Sequence, residues 1–345
     1  MIVKKMPILQ GFPDFECVRK LSNSAGQTSD FNPVFYDIET TGLSRNSTFL
    51  YLIGAVYYTG GSWQMCQWMG ESASQEEELL TAFSSFLKPF TCNIQYNGDQ
   101  FDQPYLKARL AAYHMEDPFT ELPSIDLYKK LKPVKALLKL PGMKQEQMEA
   151  FLGISTRQHC NGGECIHLYK DYIKRQDPSL LSALLGHNQE DLLGLGRVYE
   201  MLSYLCLLDG RYICTDLNCT SDNLILSVEL PHPLPVPFSN KVQDFYITGE
   251  GKNVRILINT YQGKARQYYT NYKDYDYIPG EDTVMPKSLT RFMDKSLRKP
   301  ATKSNCYTWF DCTGAFLTDP AMQKKYLEHT LPWIIQNIAY ENPGQ

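Results

Sequence analysis

The apolar positions of the chain follow two rhythms. Val34–Ile38 is apolar except for Asp37 and lies between Pro33 and the Thr40-Thr41-Gly42 turn, as a buried strand does. Tyr51–Tyr58 (YLIGAVYY) and Ser62–Met69 (SWQMCQWM) are two further strand-like runs, and Thr59-Gly60-Gly61 between them predicts a β-hairpin. The rhythm changes over Gln75–Leu87, where Leu79, Leu80, Phe83, Phe86 and Leu87 recur at helical spacing. Three glutamates occupy its first turn, where the helix dipole favours acids, and Pro89 stops it. Thr91–Tyr96 reads as a strand, and Gln103–Tyr113 as a helix that tolerates Pro104 near its start. The element order is therefore β-β-β-α-β-α. From Met143 to about Leu208 the pattern predicts several helices, the longest running from Leu180 or His187 to Leu208.

Outside that stretch the texture differs. Residues 1–30 show no clear period and end in the polar stretch SNSAGQTSDFNP. After Asp209-Gly210, short alternating runs such as LILSVEL and VRILINTYQG are separated by Pro, Gly and Asn, and PHPLPVP at 231–237 excludes a central strand there. Residues 284–299 and 320–340 read as helices. We expect a lead-in over 1–30, a mixed α/β domain over 31–208, and a smaller β-rich α+β domain over 209–345 with terminal helices.

Composition narrows the class. With 43% hydrophobic and 21% charged residues, the chain is an ordinary globular sequence rather than a disordered one. The start is broken by Pro7, Gly11 and Pro13 and lacks the apolar stretch of a signal peptide, and no run of 18 apolar residues suggests a membrane span. The ten cysteines are scattered, so they read as reduced thiols of a cytoplasmic protein. His159, Cys160, Cys165 and His167 group loosely, but their spacing fits no standard zinc pattern, and the pairs Cys214/Cys219 and Cys306/Cys312 carry no clearer signal. The net charge of −4 argues against a protein that coats nucleic acid by bulk attraction. Between Lys252 and Lys303, however, eleven Lys/Arg face five Asp/Glu, which leaves the rest of the chain strongly acidic.

The acids have informative positions. Asp37 and Glu39 lie two apart at a strand end, so both side chains share one face while Ile38 points into the core. Two carboxylates converging there repel each other unless a cation joins them, and hard oxygen donors suit Mg2+ or Mn2+. A solvated strand end with two acids is the plain alternative. His187 and Asp191, four apart, share one face of the last helix, with Glu190 turned about 100° away and Leu192, Leu193, Leu195 and Val198 forming the buried side. Asp99 reads as an exposed turn acid.

The longer strings carry a resemblance. Phe35-Tyr36-Asp37-Ile38-Glu39-Thr40-Thr41-Gly42-Leu43 resembles the first motif of the DEDD exonucleases. Asn97, Asp102, Pro104, Tyr105, Leu106 and Arg109 form a pattern similar to the second motif of B-family DNA polymerase proofreading domains and of the bacterial YprB-like ribonuclease H group. His187-Asn188-Gln189-Glu190-Asp191 resembles the third motif, although histidine stands at the spacing where that subgroup has tyrosine. The resemblance implies a ribonuclease H-like mixed sheet flanked by helices. It also implies Asp37, Glu39, Asp102 and Asp191 as ligands of two divalent ions about 3.5–4 Å apart, and His187 as the base or the positioner of the attacking water. Histidine, with a reference pKa of about 6.5, can take a proton near neutrality, whereas tyrosine at about 10 would mostly orient the water. Asp126, in Ser124-Ile125-Asp126-Leu127, is expected to cap a helix or support the site.

The expected activity is 3′–5′ exonucleolytic hydrolysis of single-stranded DNA or RNA. Two alternatives stay open, a structure-specific endonuclease on the same fold and a non-catalytic nucleic-acid-binding module. In the C-terminal part, YYTNYKDYDY at 268–277 interleaves tyrosines with basic neighbours. That suits either base stacking and phosphate contact or a packed aromatic edge with a solvated basic face.

Overall fold

In the computed structural model, which describes residues 1–22, 31–154, 162–220 and 222–339, the expected hairpin lies at the centre of a six-stranded sheet. The chain divides into two units, Met1–Lys132 with Met143–Glu200 and Pro133–Gly142 with Met201–Gln345.

In the first unit, β1 (Ile2–Pro7) and α1 (Phe15–Ser22) precede β2 (Pro33–Thr40), β3 (Leu50–Thr59) and β4 (Ser62–Met69). The β3–β4 turn is tight because Gly60 and Gly61 take φ of +58° and +83°, which only glycine adopts at little cost. Then come α2 (Glu76–Leu87), β5 (Cys92–Gln95), α3 (Asp102–Ala112), β6 (Ser124–Asp126), α4 (Leu127–Leu131), α5 (Gln145–Phe151), α6 (Gly162–Arg175) and α7 (Pro178–Tyr199). The sheet order is β1-β4-β3-β2-β5-β6; β2, β3, β4 and β1 pair antiparallel, while β2–β5 and β5–β6 are parallel.

Strand periodicity splits β2 between two layers. Tyr36 and Ile38 join Leu79, Leu80 and Phe83 of α2 and Tyr105 and Leu106 of α3 in one core. Phe35, on the opposite face, meets Tyr199 of α7 edge-on at 5.5 Å. The result is a mixed sheet flanked by helices, as the resemblance implies.

The first 22 residues are more than a lead-in. β1 pairs with β4 from Ile2↔Met69 to Pro7↔Gln64 as an edge strand. Its Val3, Lys4 and Lys5 are exposed, so it shows no apolar alternation to read, and lysines are a common feature of edge strands.

The second unit is β-rich. β7 (Ile213–Cys219), β8 (Asn223–Glu229), β9 (Phe238–Val242), β10 (Phe245–Glu250) and β11 (Asn253–Asn259) form an antiparallel sheet in the order β7-β8-β11-β10-β9. The proline-rich stretch 231–237 lies outside it. β12 (Lys264–Tyr268), β13 (Tyr275–Ile278), β14 (Thr283–Pro286), α8 (Lys287–Thr290), β15 (Lys299–Pro300), β16 (Tyr307–Asp311) and α9 (Pro320–Asn337) complete it.

The helix expected over 284–299 is absent. That stretch is β14, one helical turn, a 3-10 turn at Lys295–Leu297 and the start of β15. Leu289, Phe292 and Leu297 are exposed, so no apolar stripe is buried to hold a helix there. Among the described residues no helix is long and apolar enough to cross a membrane.

Candidate metal centre

β2 pairs with β5 only from Pro33 to Phe35, so its last residues run beyond the parallel partner. Asp37 and Glu39 project from that end on the face that α7 covers, and Ile38 is buried on the other. A register shift between Glu39 and Thr40 ends the regular pairing with β3. The following turn is closed by side chains. Thr40 and Thr48 hydroxyls both donate to the Gly42 carbonyl at 2.9 Å, and a Cβ on Gly42 would meet Thr48 Cγ2 at 2.8 Å.

α7 brings the third motif. Asp177 caps it by accepting the Ser179 N–H, and Pro178 occupies its first turn. One turn apart on its inner face, His187 is 4% exposed and Asp191 partly exposed. His187 Nε2 lies 3.2 Å from Glu39 Oε1 and 3.2 Å from Asp191 Oδ2. Ligand-capable atoms of Glu39, His187 and Asp191 all fall within 4.8 Å of one another. From α5, the Gln145 amide donates to the Asp191 backbone carbonyl at 2.8 Å and to Glu149 Oε1 at 3.0 Å.

Asp37 and Asp102 stand outside that group of three but within its field. Burial, then the charges of Asp191, Glu39 and Asp102, push the Asp37 carboxyl well above its ordinary value, and one hydrogen bond from Asn188 opposes them. Asp102, buried at the start of α3, is pushed up to about 7. Burial is the largest cause and the charge of Glu39 adds to it, against backbone N–H donors that include Ile38. Such shifts mark carboxylates forced together in a poorly solvated place. Carboxylate oxygens are the hard donors that Mg2+ or Mn2+ prefers, and a cation among them would relieve the repulsion that raises Asp37 and Asp102. The residues therefore fit such an ion.

A row of polar groups missed by sequence reasoning fixes Asp37. Asn188 Nδ2 donates to Asp37 Oδ2 at 3.0 Å, and Gln67 Nε2 donates to Asn188 Oδ1 at 2.9 Å and to the Leu185 carbonyl at 2.8 Å. Asp37, Gly54 and Gln67 are direct neighbours across β2, β3 and β4. Gly54 leaves the room for Asn188, since a Cβ there would lie 1.9 Å from Asn188 Oδ1. The clue available in the sequence was Asn188 next to His187. Gly54 and Gln67 sit in a strand pattern that hides them.

The other singled-out residues are structural. Asp126 caps α4 by accepting the Lys129 N–H and also takes the Asn97 and Asp99 N–H groups. Asp99 is not merely an exposed turn acid. It pairs with Lys129 at 2.7 Å and accepts from Ser124 and Gln95. Arg109 of the second motif forms a bidentate pair with Glu76 at 2.8 and 2.6 Å, and Glu76 also accepts the Leu50 N–H and the Tyr113 hydroxyl. Glu76 was read as one of three dipole-favoured acids, yet it is 1% exposed and ties α2 to β3 and α3. Cys165 is buried in an apolar cluster on α6, while His159 and Cys160 lie outside the described residues. Of the tyrosine-rich stretch, Tyr268 is fully buried and stacked on Trp333 at 3.8 Å, and Tyr269, Tyr272, Tyr275 and Tyr277 pack around Val284, Ala301 and Cys306. The packed-edge alternative is the one observed.

Parts of the chain are similar to known proteins. The RNase_H superfamily profile matches residues 34–203, so this stretch is a ribonuclease H-like domain. The chain is 28% identical over 219 residues to the uncharacterized protein YprB of Bacillus subtilis (strain 168), covering 59% of this chain and 51% of that protein; it thus spans about half the length of that relative. Among solved structures, the family B DNA polymerase from the archaeon Pyrobaculum calidifontis matches with a TM-score of 0.42 and 16% identity, over 52% of this chain and 25% of the polymerase.

Proposed function

We propose that the ribonuclease H-like domain hydrolyses phosphodiester bonds as a 3′–5′ exonuclease on single-stranded nucleic acid. Asp37, Glu39, Asp102 and Asp191 would hold two divalent ions, Mg2+ or Mn2+. The observation that carries the reading is the convergence of Glu39, His187 and Asp191 within 4.8 Å, with Asp37 and Asp102 held in the same field. Bound there, divalent ions supply an acidified water and neutralise charge on the phosphate. Asp37 is held for its task by the Asn188 amide, itself held by Gln67. His187, whose Nε2 lies 3.2 Å from a carboxylate oxygen of both Glu39 and Asp191, would act as the base for the attacking water or orient it. Gln145 fixes the turn of α7 that bears Asp191. Exonucleolytic direction and strandedness rest on the likeness of the three motifs to DEDD proofreading nucleases. Nine described cysteines are free, which suits a reducing compartment such as the cytoplasm.

The test is cleavage of 5′-labelled single-stranded DNA, duplex DNA and single-stranded RNA in Mg2+, Mn2+ or EDTA, with wild type beside Asp37→Ala. A metal-dependent ladder shortening from the 3′ end and lost in the variant is expected. Internal cuts lost in the variant would replace the exonuclease with an endonuclease. Binding without cleavage on any substrate would leave a nucleic-acid-binding module.

A further inference from the structure

The second unit carries a strap that buries its anchors and turns its large apolar side chains outward. β14 and β15 lie on opposite sides of β13, so residues 287–298 must cross from one edge of this small sheet to the other. The crossing is pinned at two points to one buried acid. Thr290 and Arg298 both donate to Asp276 Oδ2, at 2.5 and 2.6 Å, and Asp276 is 4% exposed. Between and beside the pins the side chains point outward. Leu289, Phe292 and Leu297 are 57%, 78% and 58% exposed. The Arg291 guanidinium lies over the Phe292 ring at 4.5 Å.

Charge separates this strap from the rest of an acidic chain. Residues 287–303 hold six cations, Lys287, Arg291, Lys295, Arg298, Lys299 and Lys303, and one acid, Asp294. Asp294 is occupied by the Ser296 N–H and hydroxyl at 2.8 Å each. Among the described residues, no ion pair involves Arg291, Lys295, Lys299 or Lys303.

We propose that this strap is a single-stranded nucleic-acid contact, with Phe292 as the base-stacking platform and Arg291, Lys295 and Lys299 as phosphate contacts. The proposal rests on the nuclease reading for the nature of the ligand and adds a second place where the chain meets it. Cations interleaved with an exposed ring are the elements of sequence-tolerant single-strand binding, where bases stack on aromatics and phosphates meet Lys and Arg. A duplex keeps its bases stacked on one another, so a ring platform selects the single strand. An anionic membrane would also attract the charge, but surface-lying segments are amphipathic helices, and this strap has one helical turn. The pins at Thr290 and Arg298 hold the strap ready, which reduces the ordering that binding would otherwise require.

The experiment is fluorescence anisotropy of labelled single-stranded DNA and RNA 20-mers with the full chain in EDTA, across a salt series. Phe292→Ala should weaken binding about tenfold, and Phe292→Tyr should restore it. Arg291→Gln with Lys295→Gln should lower the slope of log affinity against log salt by roughly 1.4, two single-strand phosphate contacts. All three sites are exposed, so melting temperatures matching wild type are expected and are measured alongside. Variants that bind within twofold of wild type would overturn the strap, as would a wild type that binds neither oligonucleotide. Loss of binding to phosphatidylserine vesicles with oligonucleotide binding unchanged would overturn it in favour of a membrane. Because EDTA removes cleavage from the readout, the two readings fail separately. Strap-dependent binding with no cleavage in Mg2+ or Mn2+ would remove the nuclease and keep the strap, and cleavage with neutral strap variants would do the reverse.

Discussion

Buried acids occur in both units, and the chain treats them in opposite ways. In the second unit Asp276 is paired with Arg298 at 2.6 Å, and Asp244 is paired with Arg266 at 3.1 Å beneath the Tyr261 and Tyr268 hydroxyls. Glu76 in the first unit follows the same rule, with Arg109 at 2.6 Å. At the end of β2 the rule breaks. Among the described residues no Lys or Arg forms an ion pair with Asp37, Glu39 or Asp102, and Asp37 and Asp102 are raised by burial and by their acidic neighbours. Removing a charge from water is unfavourable, and a chain that uses a buried acid as a strut supplies a counter-charge, as at Asp276, Asp244 and Glu76, or several backbone N–H donors, as at Asp126. On the proposed metal-site reading, acids crowded together without a counter-charge are left for a cation that comes from solution. This contrast distinguishes the candidate site from the struts better than burial does, since both kinds are buried.

The contrast is broken or sharpened most by neutralising one acid of each kind. Asp37→Asn should reduce metal-dependent cleavage by at least about 10²–10³-fold, while the metal-free protein melts no lower than wild type because a repulsive charge is gone. A variant that loses cleavage only because it unfolds would place Asp37 among the struts. Glu76→Gln should do the opposite. It strands Arg109 and weakens the acceptor for the Leu50 N–H, a loss of about 3–5 kcal/mol in denaturant-measured stability. Unchanged stability would mean that the Arg109 pair is incidental. Asn188→Ala removes only the hydrogen bond that orients Asp37. A loss of about 10–100-fold in metal affinity or activity is expected, as for other groups that hold a ligand in place. Metal titration followed by cleavage rate measures it, and an unchanged titration would remove Asn188 from the site.

The site was more legible than its supports, for a physical reason. Asp37 and Glu39 sit on a strand end where period-2 geometry alone puts them on one face, and His187 and Asp191 share a face at helical spacing. Both inferences need only local periodicity. Asp102 depended on likeness of motifs, because nothing local ties residue 102 to residue 37. Gln67 and Gly54 matter through a row across three strands, and Glu76 through contacts with β3 and α3, which only the register and packing reveal. The same distinction runs through the fold. The 51–69 hairpin declared itself by its runs and its Gly-Gly turn, while β1 is an edge strand with Lys4 between its two half-buried apolar residues and left no alternation. The stretch 284–299 read as a helix, but its Leu289, Phe292 and Leu297 face water, so no buried stripe holds a helix there. For the tyrosines of 268–277 both base stacking and a packed edge stood open, and the packing decides: Tyr268 is buried with its hydroxyl on Gln243, and the other four are partly buried against Val284, Ala301 and Cys306.

The smallest expected effect gives the two kinds of acid opposite signs against pH. Asp102 is pushed up to about 7, so between roughly pH 4 and pH 7 the folded chain keeps a proton that the unfolded chain has lost. Stability of the metal-free protein should therefore fall as pH rises through that window. Burial alone would raise Asp276 as well, but the Thr290 and Arg298 hydrogen bonds outweigh it and hold its carboxyl below the ordinary range. Its contribution is present above about pH 4 and is lost only as pH falls below that. A divalent ion must displace the proton on Asp102 to bind, so its apparent affinity should rise up to about tenfold per pH unit below 7 and level off above. Thermal melts with and without Mn2+ at pH 6 and pH 8 measure this directly. The gain in melting temperature should be the larger at pH 8. Equal gains would mean that no proton is displaced and that Asp102 is not a ligand, whereas a gain confined to the higher pH would tie the raised carboxyl to the metal.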